Sequence, residues 1–146
     1  MGSRGKDITI VVGAPVKYAN CLYNTSVIIN NGIVKGIVPK VFVTPAENKW
    51  FTSGGNAPSE VIPYAGDLRT MSPDMLFSIG DAEFAVELGE DLWAPIPSSS
   101  NHALLGAHII VNLSADKEVI MRNEYRNDLL KAHSAKTICG YVYASA

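Results

Sequence analysis

The sequence predicts an α/β fold, a mixed sheet with helices on one face. Short β-branched runs recur along its 146 residues, an Asn-Gly pair separates two of them, and residues 118–135 carry apolar side chains at close to helical spacing. Branching at Cβ suits a pleated strand, while the 3.6-residue repeat suits a helix laid on a sheet.

Residues 8–13 (Ile8-Thr9-Ile10-Val11-Val12-Gly13) read as a strand buried on both faces, broken by Gly13-Ala14-Pro15. Residues 24–29 and 33–38 flank Asn30-Asn31-Gly32 and read as a hairpin. From Lys40 to about Met75 the chain reads as a long irregular connection, because Pro45, Pro58, Pro63, Pro73 and Gly54-Gly55 interrupt every candidate element; a short strand at residues 60–62 is the exception. Residues 76–79 read as a strand, Gly80-Asp81 as a turn, and residues 83–88 as the strand leading to Gly89-Glu90-Asp91-Leu92-Trp93. Ser98 to Asn101 offer N-caps for a short helix over 102–107. A buried strand over 108–114, the helix over 118–135 and a buried closing strand over 137–144 complete the order.

At this length the chain is one domain or part of one, 1–146. Apolar residues make up 47% and charged residues 18%, with a net charge of −2, so neither disorder nor a nucleic-acid surface is indicated. No apolar run reaches the roughly 18 residues that cross a bilayer, and the first residues lack the apolar core of a signal peptide, so a cytoplasmic protein is expected. Cys21 and Cys139 fit free, buried thiols in a reducing compartment. His102, His108 and His133 show no metal-site spacing, there is no Gly-x-Ser-x-Gly elbow, and no phosphate-binding glycine loop. The composition therefore favours small-molecule or subunit partners, with no metal and no cofactor in this chain.

The stretch Leu88-Gly89-Glu90-Asp91-Leu92-Trp93-Ala94-Pro95 resembles the nucleophile motif of the nitrilase (carbon–nitrogen hydrolase) superfamily. Within it, the stretch resembles the glutaminase domain of glutamine-dependent NAD synthetases. Further motifs in order support the resemblance: Val12-Gly13-Ala14-Pro15, Leu22-Tyr23-Asn24-Thr25-Ser26, Pro39-Lys40, Trp50-Phe51, Asn112-Leu113-Ser114 and Glu124-Tyr125-Arg126. The resemblance implies a four-layer α-β-β-α sandwich, of which this chain is a domain incomplete at both ends. It also implies hydrolysis of an amide by a cysteine thiolate, with a glutamate as general base and a lysine offsetting charge on the tetrahedral oxyanion.

Carried onto this sequence, Lys40 matches the family lysine, and Gly89 stands where the family has its cysteine. Glu47 is placed where a second glutamate falls, although the loop before it is shorter than the family's. The resemblance places the general-base glutamate in a segment upstream of Val12, and the expectation is that this sequence does not carry it. Glu90 and Trp93 form a pocket wall, Ser114 and Asp116 fall in the turn that contacts glutamine, and Arg122 takes the place of the basic group that holds its α-carboxylate. An aspartate in that turn would repel a carboxylate.

Glycine has nothing to attack with, so the expectation is a glutaminase-like domain inactive in hydrolysis, with L-glutamine or a related amide as ligand if the pocket survives. The parent family would use it to supply ammonia for NAD biosynthesis. The alternative is a non-catalytic pseudo-glutaminase, a binding or assembly module that pairs with a second copy or with a synthetase-domain partner.

Overall fold

The computed structural model describes residues 5–145 except 7, 58, 116 and 118. Five strands form a first sheet: β1 (Thr9–Tyr18), β2 (Cys21–Asn30), β3 (Ile33–Pro39), β4 (Glu60–Tyr64) and β5 (Asp67–Met71), in the order β1-β2-β3-β5-β4. All neighbours are antiparallel except β3 and β5, which meet in parallel at Ile37 and Met71. The Asn-Gly hairpin is present as read. Asn31 and Gly32 both carry positive φ, 49° and 76°, as a two-residue turn matched to strand twist requires.

Two expectations for this sheet fail for one reason. β1 runs straight through Gly13-Ala14-Pro15, with Pro15 opposite Asn24, and of its ten residues Val16 alone is buried. The irregular connection contains a second hairpin, β4–β5, turned by Ala65 and Gly66 at φ 52° and 82°. β1 and β4 are both edge strands, where one row of backbone donors has no ladder partner and proline is tolerated.

The second sheet has the order β6-β7-β8-β9: β6 (Leu76–Ile79), β7 (Ala82–Leu88), β8 (Ile109–Ser114) and β9 (Gly140–Ser145). β7, β8 and β9 are parallel and β6 is antiparallel to β7. Parallel neighbours need crossovers, and two helices supply them: α1 (Ser98–Leu104) between β7 and β8, and α2 (Arg122–Thr137) between β8 and β9. α1 begins earlier than expected, with the serines inside its first turn and Pro97 as an N-cap without a side-chain bond. α2 begins four residues later than expected, at Arg122, because Met121 adopts a left-handed φ of 66°. β9 is an edge strand of alternating half-buried and exposed residues, not a buried one.

The sheets pack face to face through Ile28 and Val38 of the first and Phe77, Phe84 and Val86 of the second. The Phe77 and Phe84 rings lie 5.3 Å apart, and each such buried side chain contributes roughly 1.5–3 kcal/mol. Strand periodicity puts Val27 and Ile37 on the opposite face, in a second cluster with Val16, Tyr23, Ile62 and Met71. α1 covers the outer face of the second sheet, where Ala103 packs over Ala85, Ala107, Ile110 and Cys139. The described residues therefore form three of the four layers of an α-β-β-α sandwich. Cys139 is buried, but Cys21 is only half-buried. Among the described residues no helix is long and apolar enough to cross a membrane.

Candidate functional site

The carboxyl ends of β7, β8 and β9 lie side by side, with Leu88 opposite Leu113 and Leu113 opposite Ala144. In α/β sheets this is the edge at which ligands bind. A cavity of about 510 Å³ opens there. Its floor is Gly89, Glu90, Ser114 and Ser145, and its far wall comes from Val12, Gly13 and Asn24 of the first sheet and from Lys40 and Glu47 in the segment after β3. A larger groove of about 670 Å³ at Ile8, Lys35 and residues 76–80 contains none of these groups.

Lys40 follows the last residue of β3 and is pinned by its backbone. Its N–H donates to the Asn24 carbonyl at 2.8 Å, and its own carbonyl accepts from Gly54 N–H at 2.7 Å. A Cβ at residue 54 would stand 2.7 Å from that carbonyl oxygen and 2.8 Å from Pro39, so glycine alone permits the approach. The Lys40 side chain is 4% exposed and ends between two carboxylates. Nζ donates to both Glu47 oxygens, at 2.9 and 2.7 Å, and to Oε2 of Glu90. Burial works to lower the ammonium's pKa, but hydrogen bonds and charge from Glu47 and Glu90 outweigh it and the net shift is upward. Burial likewise opposes ionisation of Glu47, yet Lys40 and the Thr44 N–H, 3.0 Å away, hold it below the ordinary glutamate range. Asn24 Nδ2 adds a donor at 3.1 Å.

Gly89 begins a short 3₁₀ turn, residues 89–93, directly after β7. Its φ is +49°, a conformation that glycine adopts freely and other residues adopt at a cost. A Cβ built there would point into the cavity, 3.5 Å from Lys40 Nζ and 3.8 Å from Ser114 Oγ, with no clash. Two buried side chains hold this elbow. Asp91 accepts from the backbone N–H of Phe42 at 2.7 Å, and of Val41 and Leu88 at 3.3 Å each, stitching the segment after Lys40 to the end of β7. Burial drives its pKa up to about 6, against the lowering effect of those three N–H groups and with a further rise from Glu87. Asn112 holds the Gly89 peptide groups, receiving its N–H at 3.1 Å and donating to its carbonyl at 3.2 Å.

No family model matches the chain. It is 37% identical over 144 residues to a glutamine-dependent NAD(+) synthetase of Mycobacterium leprae, a match covering 94% of this chain and 21% of that protein. The enzyme of the same name from Rattus norvegicus is 28% identical over 153 residues, with 97% and 21% covered. Among solved structures, a glutamine-dependent NAD(+) synthetase from Cytophaga hutchinsonii superposes with a TM-score of 0.82 at 30% identity, over 95% of this chain and 23% of that one. A CN-hydrolase superfamily protein from Xanthomonas campestris, 10% identical, shares the fold alone, with a TM-score of 0.61 over 95% of this chain and 48% of that one. The chain has the carbon–nitrogen hydrolase fold and is related to the glutamine-dependent NAD(+) synthetases. It spans about a fifth of the length of the curated relatives it matches.

Within the carbon–nitrogen hydrolase fold, Lys40, Glu47, Gly89, Glu90 and Ser114 come together around one cavity. Trp93 and Arg122 are placed elsewhere. The Arg122 guanidinium lies 4.6 Å over the Trp93 ring, which stacks on Tyr125, and Trp93 borders a separate 250 Å³ hollow with Pro97, Leu129 and His133. Asp116 lies outside the described residues. Asn24, Asp91 and Asn112 carry no role that the sequence alone assigns, although each sits inside one of the motifs. The signal for Asp91 is the second of two adjacent acids directly before the apolar Leu92-Trp93, and for Asn112 a lone amide in an apolar strand. Cys139 precedes the opposite end of β9 from the cavity, about 16 Å away at the strand rise, and Cys21 packs on the outer cluster of the first sheet. Among the described residues no group of His, Cys, Asp and Glu is arranged to hold a metal.

Proposed function

We propose that the chain is a glutaminase-like unit that receives the carboxamide of L-glutamine in the Lys40 cavity and, with Gly89 in place of a nucleophile, does not hydrolyse it. In the parent enzymes such a unit would supply ammonia for NAD synthesis, and the cytoplasm is the compartment that chemistry implies. The observation that carries the reading is the direction of the missing side chain. A group on residue 89 would start 3.5 Å from the Lys40 ammonium, at the tip of a strand in the carbon–nitrogen hydrolase fold.

The surrounding groups suit an amide. Lys40 offers a donor to a carbonyl oxygen, while Glu47 and Glu90 offer acceptors to an NH₂ group. The site brings one cation and two carboxylates together, so a neutral carboxamide enters more readily than a carboxylate. Calorimetric titration with L-glutamine, beside an ammonia-release assay, tests the reading. Binding without ammonia is expected, lost in Lys40→Ala. Ammonia release abolished by Lys40→Ala would show that the chain is a working hydrolase, and the absence of binding would remove glutamine as its ligand.

A second reading, an assembly module, is favoured by the helical layer. Ile96, Leu104 and Ile138 are 68%, 88% and 91% exposed there, and Ile96 and Leu104 border a shallow hollow with Pro95 and Ala103. An apolar face of this kind suits a second copy of the chain. Light scattering after size-exclusion chromatography would show a dimer under this reading and a 15.7 kDa particle without it.

A further inference from the structure

The parallel register of the second sheet sets Glu87 of β7 opposite Asn112 of β8, and Asn112 opposite Tyr143 of β9. Glu87 and Asn112 are almost wholly buried, polar residues in a layer of apolar neighbours, and such groups cost free energy unless their hydrogen bonds are made. Here they are made to one another and to one peptide. Asn112 Nδ2 lies 3.3 Å from Glu87 Oε1 and 3.2 Å from the Tyr141 hydroxyl, which itself donates to Glu87 Oε1. The other Glu87 oxygen accepts the Ser99 N–H at 3.0 Å, in the first turn of α1. Ser99 Oγ is in turn 2.7 Å from His133 Nε2 on α2.

With Nδ2 turned toward the Glu87 carboxylate, Oδ1 can only face away from it, toward the Gly89 N–H. A flipped amide would set an oxygen against a carboxylate and a donor against a donor. The amide therefore has one orientation, and in it both the N–H and the carbonyl of Gly89 are bound.

We infer that Asn112, oriented by Glu87 and Tyr141, is the positioning residue of this site: it fixes the backbone at position 89 in its left-handed conformation and so aims whatever that position carries at Lys40. None of Asn112, Glu87 and Tyr141 lines the cavity. The arrangement acts through the peptide of residue 89, and the inference rests on the reading of the Lys40 cavity as the functional site.

The test is amide hydrogen exchange of the ¹⁵N-labelled chain, read at Gly89 against Ile110 and Val111 of β8. One lost hydrogen bond of about 1.4 kcal/mol corresponds to a factor of about ten, so Asn112→Leu, close in size but unable to hydrogen-bond, is expected to accelerate Gly89 exchange by about that factor. Ile110 and Val111 should stay within about threefold. Tyr141→Phe keeps the ring and removes one partner of the amide, and an intermediate acceleration of about threefold is expected, which keeps the test usable if Asn112→Leu folds poorly. Iodoacetamide alkylation supplies an independent readout in the Gly89→Cys background, where adding Asn112→Leu should change the alkylation rate severalfold at unchanged circular dichroism.

Unchanged exchange at Gly89, or equal acceleration at Gly89, Ile110 and Val111, overturns the inference. So does an alkylation rate indifferent to residue 112. A chain that fails to bind glutamine yet responds in this way keeps the inference and loses the glutaminase reading.

Discussion

Lys40 Nζ stands 3.5 Å from the point at which a side chain on residue 89 would begin, although Lys40 directly follows a strand of one sheet and Gly89 a strand of the other. The ammonium is held there by Glu47 and Glu90, not by anything at position 89. Lys40→Met is therefore expected to leave two carboxylates without their cation and to destabilise the fold by about 2 kcal/mol, an intermediate figure because both carboxylates retain contact with solvent. Glu47 should titrate at higher pH in this variant, since the ammonium is what draws it down. Denaturant unfolding and carboxyl ¹³C shifts against pH would measure the two effects, and an unmoved Glu47 would refute the pairing.

Asp91 gives stability a pH dependence of unusual sign. In the folded chain it holds its proton up to about pH 6, whereas its ordinary value is 3.8. The folded state thus binds more protons between these values, and Asp91's contribution is full below about pH 4 and lost as the pH rises through 6. A shift of about two units amounts to about 3 kcal/mol. Asp91→Asn should remove that slope, while costing about 1–2 kcal/mol because its NH₂ must face backbone donors. Parallel slopes for the two proteins between pH 4 and 6.5 would contradict the assignment.

Gly89→Cys is expected to fold, because a Cβ there meets nothing nearer than 3.5 Å, at a cost of about 1–2 kcal/mol for its positive φ. It should not release ammonia from glutamine. Glu47 and Glu90 are both ion-paired to Lys40, and Glu47 is held below the ordinary glutamate range, which makes it a weak base. Robust turnover in this single variant would show that one of the two serves as the base.

Ile138 closes α2 in the left-handed region, φ 56°, with 91% of its surface exposed. A β-branched residue pays for that conformation and gains little packing in return. Ile138→Gly should raise stability by about 1 kcal/mol, visible as a higher denaturant midpoint at unchanged slope. A drop in the midpoint would mean that the side chain packs in solution.

β7 and β8 were legible because apolar residues predominate in each and turn residues bound them, Gly80-Asp81 and Gly89 around β7 and Gly106 before β8. The two proline-bearing edge strands of the first sheet were legible only in part, as residues 8–13 of β1 and 60–62 of β4. Pro15 and Pro63 read as breaks because the rule against proline in strands assumes a neighbour on both sides, and neither β1 nor β4 has one. The β5 strand, Asp67-Leu68-Arg69-Thr70-Met71, buries only its last residue, so it carries no apolar run to read. At the site, motif residues that cluster near the strand tips were locatable one by one. Arg122 was not separable from them in sequence, since its removal from the cavity follows from where α2 begins, and that is set by the backbone of Met121; Trp93, at the far end of the 3₁₀ turn, stacks on Tyr125 of α2 instead.

The elbow after β7 is braced by Asp91 and Asn112 through peptide groups alone. Neither brace senses which side chain, if any, residue 89 bears. The scaffold is therefore indifferent to the chemistry of residue 89 and sensitive only to its backbone: an exchange there costs what the left-handed conformation costs and leaves both braces in place.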